Sequence, residues 1–360
     1  MKIIDFLNRH RGTATARTPS VRREAWLGWA TYACAVHIQL LALAVVRLGP
    51  VLLGAQILLL GATLASALLS VVHDAGHSEF SRRSWLNVLA AQVAVPMGLW
   101  VGHYRVKHRV HHSQSSVYAV DESTTPHPLL RVHPQAPCRP WHRYQHLYAP
   151  ALYSVAWVGD VRSQVRYLCT GVVGTARVGS FRSRAVSYTA EKALTVTILL
   201  PYVWLAGPVR SAVVGAAVMA VASLFAALVL IAGHVNVGLV DEPDATFVAR
   251  AFTTTAAFAT TSPWMRRVTG GLTHHHVHHL RPHAPRSTFS TLHVDLIAPM
   301  AVEHQLPLIE FPTLSAAVAG HFRSLRQLGV IVCDQASRSD LSDSHAPIAC
   351  VSLTSRATAL

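Results

Sequence analysis

The chain has 360 residues, of which 51% are hydrophobic and 13% are charged, and its mean hydropathy is +0.33. This composition is too apolar and too poor in charge for an ordinary soluble protein of this length, so it indicates a membrane protein. The formal net charge of +14 could indicate nucleic-acid binding. The basic residues, however, flank apolar segments and accompany no recognition helix, finger or aromatic-basic repeat, which favours anionic lipid headgroups and acidic protein partners over nucleic acid.

Four apolar segments are each long enough to cross the ~30 Å hydrocarbon core of a bilayer as a helix. In chain order they are 26–46, 52–72, 190–206 and 209–232, and a weaker fifth segment, 85–101, is interrupted by Pro96. The turn within each pair is short. The sequence therefore predicts an all-α membrane protein with four transmembrane helices in two hairpins and an interfacial fifth segment.

The remaining segments complete a predicted single membrane domain, 1–334. We expect 78–189 and 235–334 to form a helical cytoplasmic cap, and the polar, aperiodic 335–360 to be a disordered tail. Each short turn carries one arginine, Arg47 or Arg210, whereas the long segments hold most of the basic residues. By the positive-inside rule, this pattern predicts a multi-pass protein of the cell inner membrane with both termini and the cap in the cytoplasm.

Histidines cluster just after the predicted second and fourth spans and at two further places in the predicted cap. The spacing of a pair at i and i+4, or a triplet at i, i+3 and i+4, brings the rings to one side of a helix. In chain order, the predicted metal ligands are His73, His77, His108, His111, His112, His234, His275, His278 and His279. In the run "HHHVHH", His274 or His276 could also serve as a ligand.

Each histidine cluster also has a simpler explanation. A pair four residues apart arises on ordinary helices, and the run that begins at His274 could be an accidental polyhistidine stretch. The second copy of the H-x-x-H-H spacing, which begins at His108, argues against accident. Isolated histidines such as His37, His103 and His321 are predicted to be packing residues.

Nine imidazoles are too many for one tetrahedral zinc ion and suit two metal ions. Imidazole binds both Fe(II) and Fe(III), and two irons can share the electrons that are needed to split dioxygen. The sequence therefore predicts redox chemistry on an apolar substrate, close to one face of the membrane.

The stretches "HDAGH", "HRVHH" and "HHVHHLRPHAP" are similar to the three histidine boxes of the membrane-bound fatty-acid desaturase family, and the likeness extends over about 71–286. This resemblance implies that the histidines bind two irons, with His234 as an additional ligand. It also implies O2-dependent formation of a double bond in an acyl chain carried by CoA, a carrier protein or a lipid. Two departures blur the subfamily: Tyr104 replaces a frequent tryptophan, and the first box has three intervening residues where some acyl-CoA enzymes have four.

The resemblance extends to partners of the metal site. Family members commonly carry or use a cytochrome-b-type haem domain, but no haem motif occurs outside the predicted spans, so a separate electron donor such as ferredoxin with its reductase is expected. Carboxylates usually orient metal-bound imidazoles through the outer ring nitrogen. The candidates for this role are Asp74, Glu79, Asp121, Asp160 and Asp241.

Two alternatives to desaturation stay open. The same diiron site could hydroxylate or epoxidise an acyl or polyketide-like chain, or form a triple bond, because the outcome depends on substrate placement within about an ångström. A metal-transport or metal-storage membrane protein is less favoured, because such proteins need polar groups within the membrane and the predicted spans hold almost none.

Overall fold

The computed structural model describes residues 19–124, 127–239 and 246–330. The protein is mostly helical there. The helices are α1 (Pro19–Val45), α2 (Pro50–Gly76, with a π-helical turn at Leu68–Val72), α3 (Ser84–Ala91), α4 (Val101–Ser113), α5 (Gln145–Ser154), α6 (Ala156–Thr170), α7 (Phe181–Ala206), α8 (Pro208–Ala232), α9 (Phe247–Thr253), α10 (Pro263–Val268), α11 (His275–Leu280), α12 (Phe289–Leu292), α13 (Ala298–Glu303) and α14 (Leu314–Val330). The predicted tail, 335–360, lies outside the described residues.

Two small sheets connect the loops between these helices. Strand β1 (Val172–Val173) pairs antiparallel with β2 (Ala176–Arg177). Strand β3 (Ala257–Phe258) pairs in parallel with β4 (Glu310–Phe311), so that the segment before the third histidine box is tied to the segment before α14.

Three helices in the described part of the chain are long and apolar enough to cross a membrane. They are Arg23–Val45 of α1, Pro50–Gly76 (α2) and Pro208–Ala232 (α8), and they coincide with the predicted first, second and fourth spans. Proline at the first position of α2 and of α8 starts each helix where a backbone N–H would have no partner anyway. Gly207, with φ +84°, makes the turn into α8.

The predicted third span, 190–206, forms the second half of α7, a helix of 26 residues. This helix does not meet the same length-and-composition test, because charged residues occupy its first half. Glu191 there is buried and accepts hydrogen bonds from the backbone nitrogens of Val101 (2.7 Å) and Gly102 (3.3 Å), which begin α4. The arrangement of four spans in two hairpins thus stays a prediction.

The weaker fifth segment is sharply bent. The helical stretch Ser84–Met97 and α4 meet at 99°, so together they form a broken span or a re-entrant loop. Gly98, with φ +61°, lies in the break and adopts a backbone conformation that side chains disfavour. The bend turns α4, which carries the second histidine box, away from the direction of the preceding helix.

Helices α2 and α8 pack closely against each other. A Cβ atom on Gly61 would lie 2.5 Å from Cγ1 of Val221, so only glycine allows this approach. Leu60, Leu64, Val218 and Ala222 are buried at the same interface. The packing fixes the ends of α2 and α8 beside one another, and a histidine follows or completes each of those ends.

Candidate metal centre

The structure gathers all nine predicted histidines into two adjacent groups. Within each group, one ring nitrogen from every member lies within 4.8 Å of those of the others. Group A consists of His73, His77, His108, His112 and His278, and group B consists of His111, His234, His275 and His279. The groups touch, since the ring centroids of His112 and His279 are 4.6 Å apart.

Helical spacing divides the ligand set between the two groups. On α4, His108 and His112 are four residues apart and belong to group A, while His111 belongs to group B. On α11 the pattern is reversed, with His275 and His279 in group B and His278 in group A. Helices α4 and α11 therefore serve both groups, whereas the end of α2 serves only group A. His234, two residues beyond the end of α8, serves only group B.

Distances inside the groups match those between ligands of one metal ion. The Nε2 atoms of His73 and His278 are 3.0 Å apart, and those of His77 and His108 are 2.8 Å apart. In group B, the Nε2 atoms of His234 and His275 are also 2.8 Å apart. Two nitrogens bound at right angles to one ion, each at about 2.1 Å, would lie about 3.0 Å apart.

Four of the gathered histidines, His234, His275, His278 and His279, are held neutral, as metal ligands must be. Burial, reinforced by the neighbouring imidazoles, lowers the pKa of His275, His278 and His279 well below the ordinary value. Burial likewise lowers the pKa of His234 to about 3. The Nε2 atom of His279 is buried and has no hydrogen-bond partner among the described residues. A nitrogen lone pair in that position fits a metal ion.

Two histidines of group B have their outer ring nitrogen fixed by the protein. The Nδ1 atom of His111 is 2.8 Å from Oδ2 of Asp121. Asp121 also accepts hydrogen bonds from the backbone nitrogens of Ser116 (2.9 Å) and Ser123 (3.0 Å). The Nδ1 atom of His234 donates to the carbonyl oxygen of Thr254 (3.1 Å). Both contacts leave Nε2 directed into the group.

Asp121 is ionised in this setting. Burial alone would raise the pKa of its carboxyl group, but the electrostatic attraction of the His111 ring and the hydrogen bonds from His111, Ser123 and Ser116 outweigh burial. The pKa therefore lies well below its usual range. A fixed negative charge beside His111 makes that imidazole a stronger metal ligand.

The other predicted carboxylates have different roles. Asp74 lies 4.0 Å from Nδ1 of His73, beyond hydrogen-bond distance, and its Oδ2 pairs with Arg286 at 2.8 Å. Asp160 does not orient an imidazole as predicted: it bonds to Lys107 (3.1 Å) and Gln164 (2.8 Å) on a cavity wall. Asp241 lies outside the described residues.

Glu79 lies just beyond the first histidine box, and its Oε1 is 3.6 Å from Nδ1 of His283. The ring of His283 in turn lies 5.7 Å from that of His77. Glu79 thus lies beside a histidine that borders group A.

The direction of each ring decides which histidines of the run "HHHVHH" belong to the two groups. His274 contacts Oγ of Thr273 (2.9 Å) and of Ser290 (3.3 Å), and His276 lies against Phe252 with centroids 5.5 Å apart. Neither belongs to group A or group B. The isolated histidines are also elsewhere: His103 bonds Ser163, His37 bonds Tyr202, and His321 bonds Tyr153.

A glycine pair docks the third box against α2. Gly270 and Gly271 have φ angles of +63° and +87°. A Cβ atom on Gly270 would lie 2.0 Å from the carbonyl oxygen of Leu69, in the π-helical turn that precedes His73. Sequence reasoning missed this contact and the Asp74–Arg286 pair. The two consecutive glycines directly before the box were the available signal.

A cavity of about 920 Å³ opens onto both groups. Its inner wall includes His108, His111 and His275, and its apolar wall includes Ala227, Leu230 and Ile231 of α8. Charged side chains lie on the wall formed by α4 and α6, namely Lys107, Asp160, Arg162 and Arg166. The cavity is large enough for a substantial organic ligand and carries both apolar and charged surface.

These features define a helical membrane protein with two adjacent groups of imidazoles that could hold metal ions, beside a largely apolar cavity. Comparison with known proteins gives the family: residues 48–312 match the model of the fatty acid desaturase family, and the chain belongs to it. The chain is therefore an oxidoreductase of lipid metabolism.

Curated relatives carry desaturase names. The chain is 25% identical over 297 residues to the sn-1 linoleoyl-lipid 6-desaturase of Arthrospira platensis, covering 76% of this chain and 77% of that one. It is 26% identical over 301 residues to the acyl-lipid (7-3)-desaturase of Diacronema lutheri, covering 75% of this chain and 62% of that one. No solved structure matches the chain.

Proposed function

We propose that this protein is an O2-dependent desaturase that binds two irons, one in group A and one in group B, and introduces a double bond into a lipid-bound acyl chain. The observation that carries the proposal is the pairing of two adjacent imidazole groups at the inner wall of one cavity. With iron in both groups, the site would supply oxidation of neighbouring methylenes by dioxygen, at the cost of two electrons from a separate donor such as ferredoxin and its reductase.

The donor set supports iron. Group A offers five nitrogens, more than the four ligands of a structural zinc site. Both groups consist of histidines alone, without a cysteine thiolate. Imidazole ligands suit iron and leave coordination positions for dioxygen. The two ions would also lie close together, because α4 and α11 each supply ligands to both groups.

The cavity walls support an acyl substrate. Leu230, Ile231 and Leu272 would contact the chain and exclude water from the reacting carbons. Arg162 and Arg166, exposed on the same cavity, would face a polar or anionic headgroup. The names of the relatives include lipid-linked substrates, which favours a lipid over CoA or a carrier protein as the carrier.

The first experiment counts iron in variants that each affect one group. His77→Ala removes a group A ligand and His234→Ala a group B ligand, so each should lower bound iron from about two to about one per chain and abolish turnover. His274→Asn, beside the third box but turned away from both groups, is the control and should keep about two. The assignment of one iron to each group would be contradicted if every variant lost both irons, or if no variant lost iron.

The second experiment identifies the product. The protein is expressed with a ferredoxin and its reductase, and membrane lipids are compared by mass spectrometry with those from the inactive His77→Ala variant. Loss of two hydrogens from an acyl chain supports desaturation. Gain of one oxygen would instead indicate the hydroxylase or epoxidase alternative, and reductant-independent metal loading without turnover would indicate storage.

A further inference from the structure

A second cavity lies in the apolar part of the molecule, away from the histidines. It has a volume of about 300 Å³ and lies between α1, α7 and α8. Its walls are apolar and include Leu43, Leu60, Val203, Val218 and Met219. One charged residue, Arg210, is among the residues that line it.

The position of Arg210 separates this cavity from the metal site. Arg210 is near the start of α8, whereas His234 follows its end, so at 1.5 Å per residue the two are about 36 Å apart along the helix axis. Residues of α8 between Arg210 and Met219 line this second cavity. Residues of α8 between Ala227 and Ile231 line the larger cavity beside the histidines. The two cavities therefore lie toward opposite faces of the membrane.

Arg210 pairs with no carboxylate in the part of the chain that the structure describes. Its Nη2 donates to the carbonyl oxygen of Val46 (2.9 Å), while its Nη1 is buried and has no hydrogen-bond partner among the described residues. The sequence holds no aspartate or glutamate in 25–72 or in 192–240, the segments that contain both short turns. Arg210 is half-buried, and its one buried, unpaired nitrogen lies beside apolar surface, where an anion from outside these segments would stabilise it.

We propose that this cavity binds one acyl chain of an anionic phospholipid, with the headgroup phosphate on the guanidinium of Arg210. The bilayer supplies such a lipid directly, because α1 and α8 are both apolar enough to span it. Guanidinium and phosphate form strong bidentate hydrogen bonds. A volume of about 300 Å³ is at the small end of ligand pockets and holds one chain, so the second chain stays in the bilayer.

The chain offers two ways to disturb this site and a matched control for each. Arg210→Gln removes the charge, and Arg47→Gln removes an exposed charge at the same membrane face. Gly215→Leu places a side chain into the cavity, since a Cβ atom there would meet nothing within 4 Å. Gly54→Leu adds the same side chain at a glycine on α2 that also has open space but does not line the cavity.

The test is native mass spectrometry of the purified full-length protein after addition of phosphatidylglycerol, phosphatidylcholine or oleate. We expect wild type to bind one phosphatidylglycerol at least tenfold more tightly than phosphatidylcholine. Arg210→Gln should lose that preference, and Gly215→Leu should weaken binding at least tenfold. Arg47→Gln and Gly54→Leu should behave as wild type.

Three outcomes would overturn the proposal. Phosphatidylcholine carries the same phosphate but adds a choline cation, which would place a like charge near Arg210, so equal binding of this lipid would mean that Arg210 does not select an anionic headgroup. Tighter binding of oleate would mean a site for free fatty acid. Wild-type binding by Gly215→Leu would place the lipid elsewhere, and this variant decides the matter even if Arg210→Gln does not fold. Because the readout is lipid binding, failure here is distinguishable from failure of the proposed desaturation.

Discussion

Asp121 links the imidazole of His111, on α4, to the loop that follows this helix. Its carboxylate holds Nδ1 of His111 at 2.8 Å while backbone nitrogens of the following loop hold the carboxylate. The sequence singled out Asp121 as one of several equivalent acids, because proximity in the chain does not reveal which carboxylate reaches an imidazole. The structure separates Asp121 from Asp160, which pairs with Lys107.

Replacing Asp121 by alanine should weaken iron binding in group B about 10–100-fold, because the outer partner of a metal-bound imidazole contributes on that scale. Titration of the iron-free protein with Fe(II) under anaerobic conditions measures both binding steps. Only one of the two binding steps, that of the iron in group B, should become weaker. Asp160→Ala is the control and should leave both steps as in wild type; an unchanged Asp121→Ala titration would disprove the role of Asp121.

His321 makes a pH-dependent contribution to stability. Burial lowers its pKa to about 4, and its ring contacts the hydroxyl of Tyr153 (2.7 Å) and the carbonyl oxygen of Val235. The unfolded state takes up a proton near pH 6.5, whereas the folded state takes it up only near pH 4. The contribution is therefore fully present above about pH 6.5 and is lost as the pH falls toward 4.

When the pH is lowered from 7 to 5, the unfolding temperature of the iron-free protein in detergent should therefore decrease less for His321→Asn than for wild type. The expected difference corresponds to about 1.4 kcal/mol per pH unit below pH 6. Tyr153→Phe removes the hydrogen bond but keeps the imidazole, so it should retain the wild-type slope. Parallel curves for wild type and His321→Asn would show that His321 does not titrate in this range.

At the scale of elements, the contact between Gly270 and α2 positions the third histidine box. Gly270→Ala would place a Cβ atom 2.0 Å from the carbonyl oxygen of Leu69, and the backbone there has φ +63°. Gly98 has a similar φ of +61° but nothing within 4 Å of a Cβ atom. The two glycines therefore separate the effect of backbone strain from the effect of a clash.

Gly98→Ala should cost about 1–2 kcal/mol of stability from strain alone and leave the iron content at about two. Gly270→Ala should be more destabilising and should also reduce bound iron, because the clash displaces α11 from α2. Unfolding midpoints and iron analysis of both variants provide the comparison. If the two variants have the same stability and iron content, the contact with Leu69 does not position the box.

The elements also mark where sequence-based prediction succeeds. Long apolar runs predicted α1, α2 and α8, since length and hydropathy alone decide whether a helix suits a bilayer. The same criterion was insufficient for α7, in which Glu191 caps the start of α4, a tertiary contact that a linear pattern does not contain. The spacing of the histidines predicted that their rings would converge, but the division into two groups depends on how α4 and α11 face each other.

At the scale of the whole molecule, the charge distribution makes the two membrane faces different. Arg47 and Arg210 lie together at the face opposite the histidines, as the contact between Arg210 and Val46 indicates. The proposed topology of four spans in two hairpins would place this face outside the cytoplasm, with the cap and the metal site inside.

This topology can be tested with single cysteines in a background in which the five native cysteines are replaced by serine. In intact cells, a membrane-impermeant maleimide should label Arg47→Cys but not Arg177→Cys, which lies in β2 of the predicted cap. After permeabilisation both should be labelled, because both positions are exposed. Labelling of Arg177→Cys alone in intact cells would invert the orientation.

The sharing of α4 and α11 between the two groups has a consequence for how the sequence can change. One residue inserted or deleted between His108 and His111 would rotate every later ring on that helix by about 100°, directing it to the wrong neighbour. A point substitution would remove a ligand from one group, whereas such a shift of the helical register would disturb both groups together. Loops of this protein can therefore vary in length far more freely than these two short stretches.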